Sequence, residues 1–177
     1  MSSSVPRSPR PSTPTVPRQS PTPTVPRLAA VSSFSASQVR ESDYLIMAIE
    51  DSPLIREVLV STFARIQMPI VCFEDGVEAI GALTNGEVPV PDLLLLDIGL
   101  PNMDGYEVAR ILRMHPDLTE TIIVMLTGHD GPWNRVRSRM IGAKDFIPKP
   151  FRPSQVIAVV CKHLHIELPG VTEGVDE

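Results

Sequence analysis

Long apolar runs and cysteine are scarce in this chain, and its first 40 positions hold no Asp or Glu. No stretch approaches the roughly 18–20 apolar residues that cross a bilayer, and no charged start leads into an apolar core of secretory type. The expectation is a soluble, cytoplasmic protein with no membrane partner. The two cysteines, Cys72 and Cys161, sit inside apolar periodic segments without CxxC or metal spacing. They read as buried reduced thiols with no chemistry of their own.

What fills the first 40 positions is five Arg, eight Pro and fourteen Ser or Thr, a charge of +5 against −5 for the whole chain, which leaves −10 for the rest. So acidic a remainder is ill suited to holding nucleic acid, which needs a row of Lys and Arg against the phosphates. Direct DNA binding is therefore not expected. Thr-Pro-Thr-Val-Pro-Arg occurs at Thr13–Arg18 and again at Thr22–Arg27. Proline this dense removes backbone donors and fixes φ, and the polar remainder has nothing to bury, so residues 1–42 read as a disordered, solvated tail. An organelle transit peptide would share the Arg and Ser, but its amphipathic helix could not form across eight prolines. Docking of the Ser-Pro and Thr-Pro segments into an aromatic groove stays open.

From Tyr44 the pattern changes to short apolar runs alternating with helical stripes. Strands are expected at Tyr44–Ile49, Ile70–Phe73, Asp92–Asp97, Thr121–Leu126 and Lys144–Ile147. Helices are expected after Ser52-Pro53, where Leu54, Ile55, Val58, Leu59, Thr62 and Phe63 form the apolar stripe, and over Gly76–Leu83, Asp104–Met114, Trp133–Ile141 and Ser154–His165. Five unalternating strands separated by amphipathic helices form a (βα)₅ unit, an α/β fold whose parallel sheet is wound on both faces. The partition is a tail at 1–42, one domain at 43–166 and a short acidic end at 167–177.

Ligands on such sheets bind beyond the carboxyl ends of the strands. Those ends carry Glu50 and Asp51, then Asp97, Thr127 and Lys149. Any one alone is a weak signal, since an Asp at a strand end often only caps a helix. Together they are not explained by packing. Three converging carboxylates cannot all stay ionised without a neutralising partner, and the set asks for Mg²⁺ and for the Lys149 ammonium.

These residues stand within longer motifs: Ile49-Glu50-Asp51-Ser52-Pro53, Leu96-Asp97-Ile98-Gly99-Leu100-Pro101-Asn102-Met103-Asp104-Gly105, Met125-Leu126-Thr127-Gly128 and Lys144-Asp145-Phe146-Ile147-Pro148-Lys149-Pro150-Phe151. In these, and in the intervals of 30 residues from Asp97 to Thr127 and 22 from Thr127 to Lys149, the chain resembles the receiver domain of two-component response regulators. The resemblance covers about residues 43–166. It implies a flavodoxin-like sheet of order 2-1-3-4-5, with Asp97 as phosphoacceptor. It also implies that Glu50, Asp51, Asp97 and the backbone carbonyl of Gly99 hold Mg²⁺, and that Thr127 and Lys149 receive phosphoryl oxygens. Phe146 would pair with Thr127 as a switch, Gly99 and His129 would modulate hydrolysis, and the Lys149-Pro150 peptide would be cis.

By the same resemblance the donor is a histidine kinase or a histidine phosphotransfer protein. Signalling goes to an unidentified downstream protein, a phosphorylation-dependent dimer is open, and the chain is not an enzyme beyond its own phosphotransfer and autodephosphorylation. The chain departs from the family in carrying Glu50-Asp51 where Asp-Asp is commoner, which suggests ligation through water at Glu50. A haloacid-dehalogenase-type enzyme would need a second Asp where Gly99 stands. A flavin-binding module would need a Gly-rich phosphate loop after the first strand, where Glu50 and Asp51 would repel the phosphate. The remaining alternative is a phosphorylation-independent adaptor of receiver architecture.

Overall fold

The computed structural model describes residues 31–32, 44–128 and 141–167. The segments expected as tail and acidic end lie outside the described residues except at Val31, Ser32 and Glu167, as does the expected helix Trp133–Ile141 except at Ile141.

Five apolar runs form the parallel strands β1 (Ile46–Ile49), β2 (Ile70–Phe73), β3 (Leu93–Asp97), β4 (Ile122–Thr127) and β5 (Asp145–Pro148). They lie in the order β2-β1-β3-β4-β5, as the resemblance implies. A sixth, two-residue strand departs from the expected boundary at residue 42. Val31–Ser32 pairs antiparallel with β2, Val31 opposite Cys72 and Ser32 opposite Val71. An outermost strand presents a row of backbone groups that want partners, and a short extended segment supplies them there.

The described helices are α1 (Pro53–Arg65), α2 (Gly76–Thr84), α3 (Gly105–Arg113) and α4 (Pro153–Leu164), with a 3₁₀ turn at Pro116–Leu118. Each start is chemically specified. Asp75 accepts from the N–H of Val77 and of Glu78, and Asp104 accepts from Glu107 N at 2.8 Å. Pro53 and Pro153 occupy first-turn positions, where no N–H is needed.

Alternation along the strands sorts the core into two layers. Met47, Ile49, Val71, Phe73, Leu94, Leu96, Ile123 and Met125 pack with Ala79, Leu83, Tyr106, Val108 and Leu112 of α2 and α3. Ile46, Ala48, Ile70, Cys72, Leu93, Leu95, Val124, Leu126 and Ile147 pack with Leu59, Phe63, Val156, Val160 and Leu164 of α1 and α4. One expectation for α1 fails at its first turn. Leu54 is 69 % exposed whereas Arg56 is buried, its guanidinium donating to the carbonyls of Glu50 and Asp51. None of the described helices is long and apolar enough to cross a membrane.

Candidate phosphoacceptor site

Strand periodicity decides which side chains meet at the carboxyl rim. Glu50 continues the register of Ile46 and Ala48, Asp97 that of Leu93 and Leu95, and Lys149 that of Ile147, so all three fall on the α1/α4 face of the sheet. The geometry agrees. Lys149 Nζ lies 2.6 Å from Glu50 Oε2 and 2.9 Å from Asp97 Oδ2, so one ammonium serves two carboxylates. Lys149 is placed by its own backbone, whose N–H donates to the Thr127 carbonyl at 2.6 Å, and the Lys149-Pro150 peptide is cis as expected.

Asp97 is buried, and its Oδ1 accepts from Gly99 N at 3.1 Å. A Cβ at Gly99 would lie 3.8 Å from both carboxylate oxygens, so this position borders the acceptor and the glycine leaves that side uncovered. Close backbone packing also holds Asp97 from below. A Cβ at Gly105, the first residue of α3, would fall 2.1 Å from the Asp97 carbonyl oxygen, an approach that only glycine permits.

Glu50 is fully buried, and that burial pushes its carboxyl above the usual range. The Lys149 ammonium pulls it back and the neighbouring Asp97 charge raises it again. Its Oε1 accepts from Ser52 N at 3.3 Å, and its Oε2 is held by the Lys149 ammonium. Asp51 is exposed at the same rim, and Glu50, Asp51 and Asp97 each bring a carboxylate oxygen within 4.8 Å of the others. Three carboxylates against one Lys leave negative charge in excess at this rim. An oxygen-only donor set of this kind fits Mg²⁺.

Thr127 follows Ile123 and Met125 in register, so it belongs to the opposite, α2/α3 face of the sheet, at the end of β4. Phe146 pairs with Met125 across β4 and β5, which puts it on the same face as Thr127. Its ring is half-buried against the α2/α3 layer. His129 lies outside the described residues.

Two features were not anticipated from sequence. Arg56 reaches back from α1 and its Nη1 donates to the carbonyls of Glu50 and Asp51 at 2.7 and 2.8 Å, while Nη2 pairs with Glu74 at 3.2 Å. The sequence signal was an Arg at a core-facing position three residues past Pro53. The second is a polar clasp on β5, where Asp145 Oδ2 meets His163 Nε2 at 2.9 Å and Lys162 Nζ at 3.0 Å. Both cysteines are free and buried, and burial pushes the Cys72 thiol up to about 12, as an inert core residue requires.

Comparison with known proteins gives a consistent result. The response regulator receiver domain family matches residues 46–161. Protein PilG of Pseudomonas aeruginosa is 24% identical over 126 residues, covering 71% of this chain and 91% of that protein. Response regulator MprA of a Mycobacterium species is 34% identical over 113 residues, 64% of this chain, which spans only 47% of MprA. Among solved structures, the receiver domain of a Pseudomonas aeruginosa sensor histidine kinase, crystallised with a magnesium ion coordinated in its active site cleft, matches with a TM-score of 0.62 at 22% identity, over 70% of this chain and 99% of that one. With its parallel sheet, acidic rim and bridging lysine, the chain belongs to the response regulator receiver domain family.

Proposed function

We propose that this receiver accepts a phosphoryl group on Asp97 from a histidine kinase or histidine phosphotransfer protein and passes the signal through a protein-contact surface. The observation that carries the reading is Lys149 Nζ within 3 Å of both Glu50 and Asp97 at the rim of the sheet. Transfer to a carboxylate is mainly positioning plus neutralisation of charge on the phosphoryl oxygens. Asp97 Oδ1 is oriented by the Gly99 N–H, and Lys149 stands where a phosphoryl oxygen on Oδ2 would need a cation. Glu50, Asp51 and Asp97, with the Gly99 carbonyl, would hold Mg²⁺, which when bound supplies the remaining positive charge. The likeness to a receiver with magnesium in its cleft supports this assignment.

Thr127, at the end of the neighbouring strand, is the hydroxyl that would turn toward the phosphoryl group. Phe146, on the same face, is the ring that would respond. The chain thus acts as a phosphoacceptor with its own transfer and hydrolysis chemistry, not as a turnover enzyme.

The test is incubation with Mg²⁺ and acetyl phosphate. A base-labile, acid-stable adduct is expected on the wild type and none on Asp97→Asn, with the Phe146 ring resonances shifting when beryllofluoride saturates the site. An undiminished adduct on Asp97→Asn overturns the assignment of Asp97, and no adduct on the wild type returns the chain to the adaptor reading.

A further inference from the structure

We infer that Arg56 is a positioning residue that holds the Glu50-Asp51 segment in the conformation that presents both carboxylates to a divalent cation; this rests on the phosphoacceptor reading of the rim. The segment leaves β1 and turns into α1 within three residues, a turn in which the Ser52 N–H donates to Glu50 Oε1 at 3.3 Å. The backbone carbonyls of Glu50 and Asp51 are acceptors that the strand no longer pairs and the helix does not yet reach. A single guanidinium nitrogen, Arg56 Nη1, serves both, at 2.7 and 2.8 Å, and the residue is 9% exposed. Two fixed carbonyls on consecutive residues determine the course of the backbone between them, and hence the direction in which the two carboxylates leave it.

The guanidinium is itself anchored. Its Nη2 pairs with Glu74, the residue after β2, so the loops following β1 and β2 are tied together through one side chain. Glu74 is largely exposed, which makes it the weaker end of the tie. The planar fork of Arg is what allows one side chain to reach the paired carbonyls and the carboxylate together, a task for which an ammonium is poorly shaped.

Positioning and simple charge make opposite predictions. Arg56 is a buried cation close to a site meant for Mg²⁺, so if charge alone mattered, its removal would tighten Mg²⁺ binding. If it positions the acidic segment, removal weakens binding by about tenfold or more, the effect usual for groups that orient metal ligands. Calorimetric Mg²⁺ titration of the full chain carrying Arg56→Met decides the sign. Arg56→Lys, which can still reach a carbonyl, should recover part of the affinity, and Glu74→Gln should leave it near wild type.

Amide hydrogen exchange in metal-free protein provides a readout independent of Mg²⁺. In Arg56→Met the Ser52 amide, which donates to Glu50 Oε1, should exchange faster by a larger factor than core amides such as Leu95. Unchanged or tighter Mg²⁺ binding in Arg56→Met, or Ser52 accelerated no more than the core, overturns the inference. If the wild type binds no Mg²⁺, the phosphoacceptor reading fails on its own account, and the Ser52 exchange alone decides whether Arg56 orders the segment.

Discussion

At the scale of single residues, the site trades stability for chemistry. Glu50 sits in the core with a carboxyl that burial drives upward, and its neutralising partner, Lys149, is shared with Asp97. Asp51 adds a third carboxylate and has no such partner among the ion pairs of the described residues. Like charges this close oppose folding unless a cation intervenes, so the metal-free protein carries a repulsion that a bound cation would relieve. Replacing Asp51 by Asn should therefore do two things at once. Mg²⁺ affinity, read by calorimetry, should collapse, because an exposed carboxylate with room to approach a cation is the easiest ligand of the three to use. The melting temperature in EDTA should rise slightly above wild type. Unchanged Mg²⁺ affinity would show that Asp51 is not a ligand, and a lower melting temperature would show that it supports the fold.

The elements explain how such a strained set is held. β3 delivers Asp97 only because the first residue of α3 is glycine. A methyl group at Gly105 would overlap the Asp97 carbonyl oxygen, and backbone cannot move aside as a flexible side chain can. Gly105→Ala should cost about 3 kcal/mol in urea denaturation and should lower the rate of adduct formation, since whatever relieves the clash displaces Asp97. At the other side of the sheet, Asp145 on β5 receives His163 and Lys162 from α4 and the N–H of Phe146. Burial raises its carboxyl, but these donors outweigh the burial and hold it below the ordinary range. A depressed carboxyl contributes stability that is present above the unfolded value of about 3.9 and is lost as pH falls through the folded value. Asp145→Asn should thus cost ~1–2 kcal/mol at pH 7, and its stability curve should converge on that of wild type as the pH drops below the folded value.

Much of this architecture was legible in the sequence because strands buried on both faces are written as continuous apolar runs, and the rim residues follow directly from where those runs stop. Glu50, Asp97, Thr127 and Lys149 could be placed by that rule alone. Arg56 could not, because its meaning depends on the path of a long side chain folding back over a loop. The Asp145 clasp was hidden for a similar reason, since 17 and 18 residues separate the partners and only the return of α4 along β5 brings them together. The 3₁₀ turn at Pro116–Leu118 is too short to leave a period.

At the scale of the whole molecule, the sheet has an outer strand whose backbone must be managed, and the tail bears on that. β2 is buried on both faces by its side chains, so its free edge is the one part of it that can pair with another chain. Val31–Ser32 covers Val71 and Cys72, two of its four residues. The site lies elsewhere: Asp97 and Lys149 belong to β3 and the loop after β5, and the Val31–Ser32 pairing reaches neither. Two paired residues contribute at most about 1–2 kcal/mol, offset by the entropy of ordering the segment that brings them there. A chain beginning at Glu41 should therefore accept phosphate from acetyl phosphate as the full chain does and melt no more than a few degrees lower. Its amides at Val71 and Cys72 should lose protection against hydrogen exchange, and at high concentration it should sediment with a larger associated fraction, because an uncovered apolar edge strand templates pairing between molecules. Unchanged exchange at Val71 and Cys72 in the shortened chain would show that the edge was not covered by this segment in solution. A failure to form the adduct would instead make residues 1–40 part of the switch.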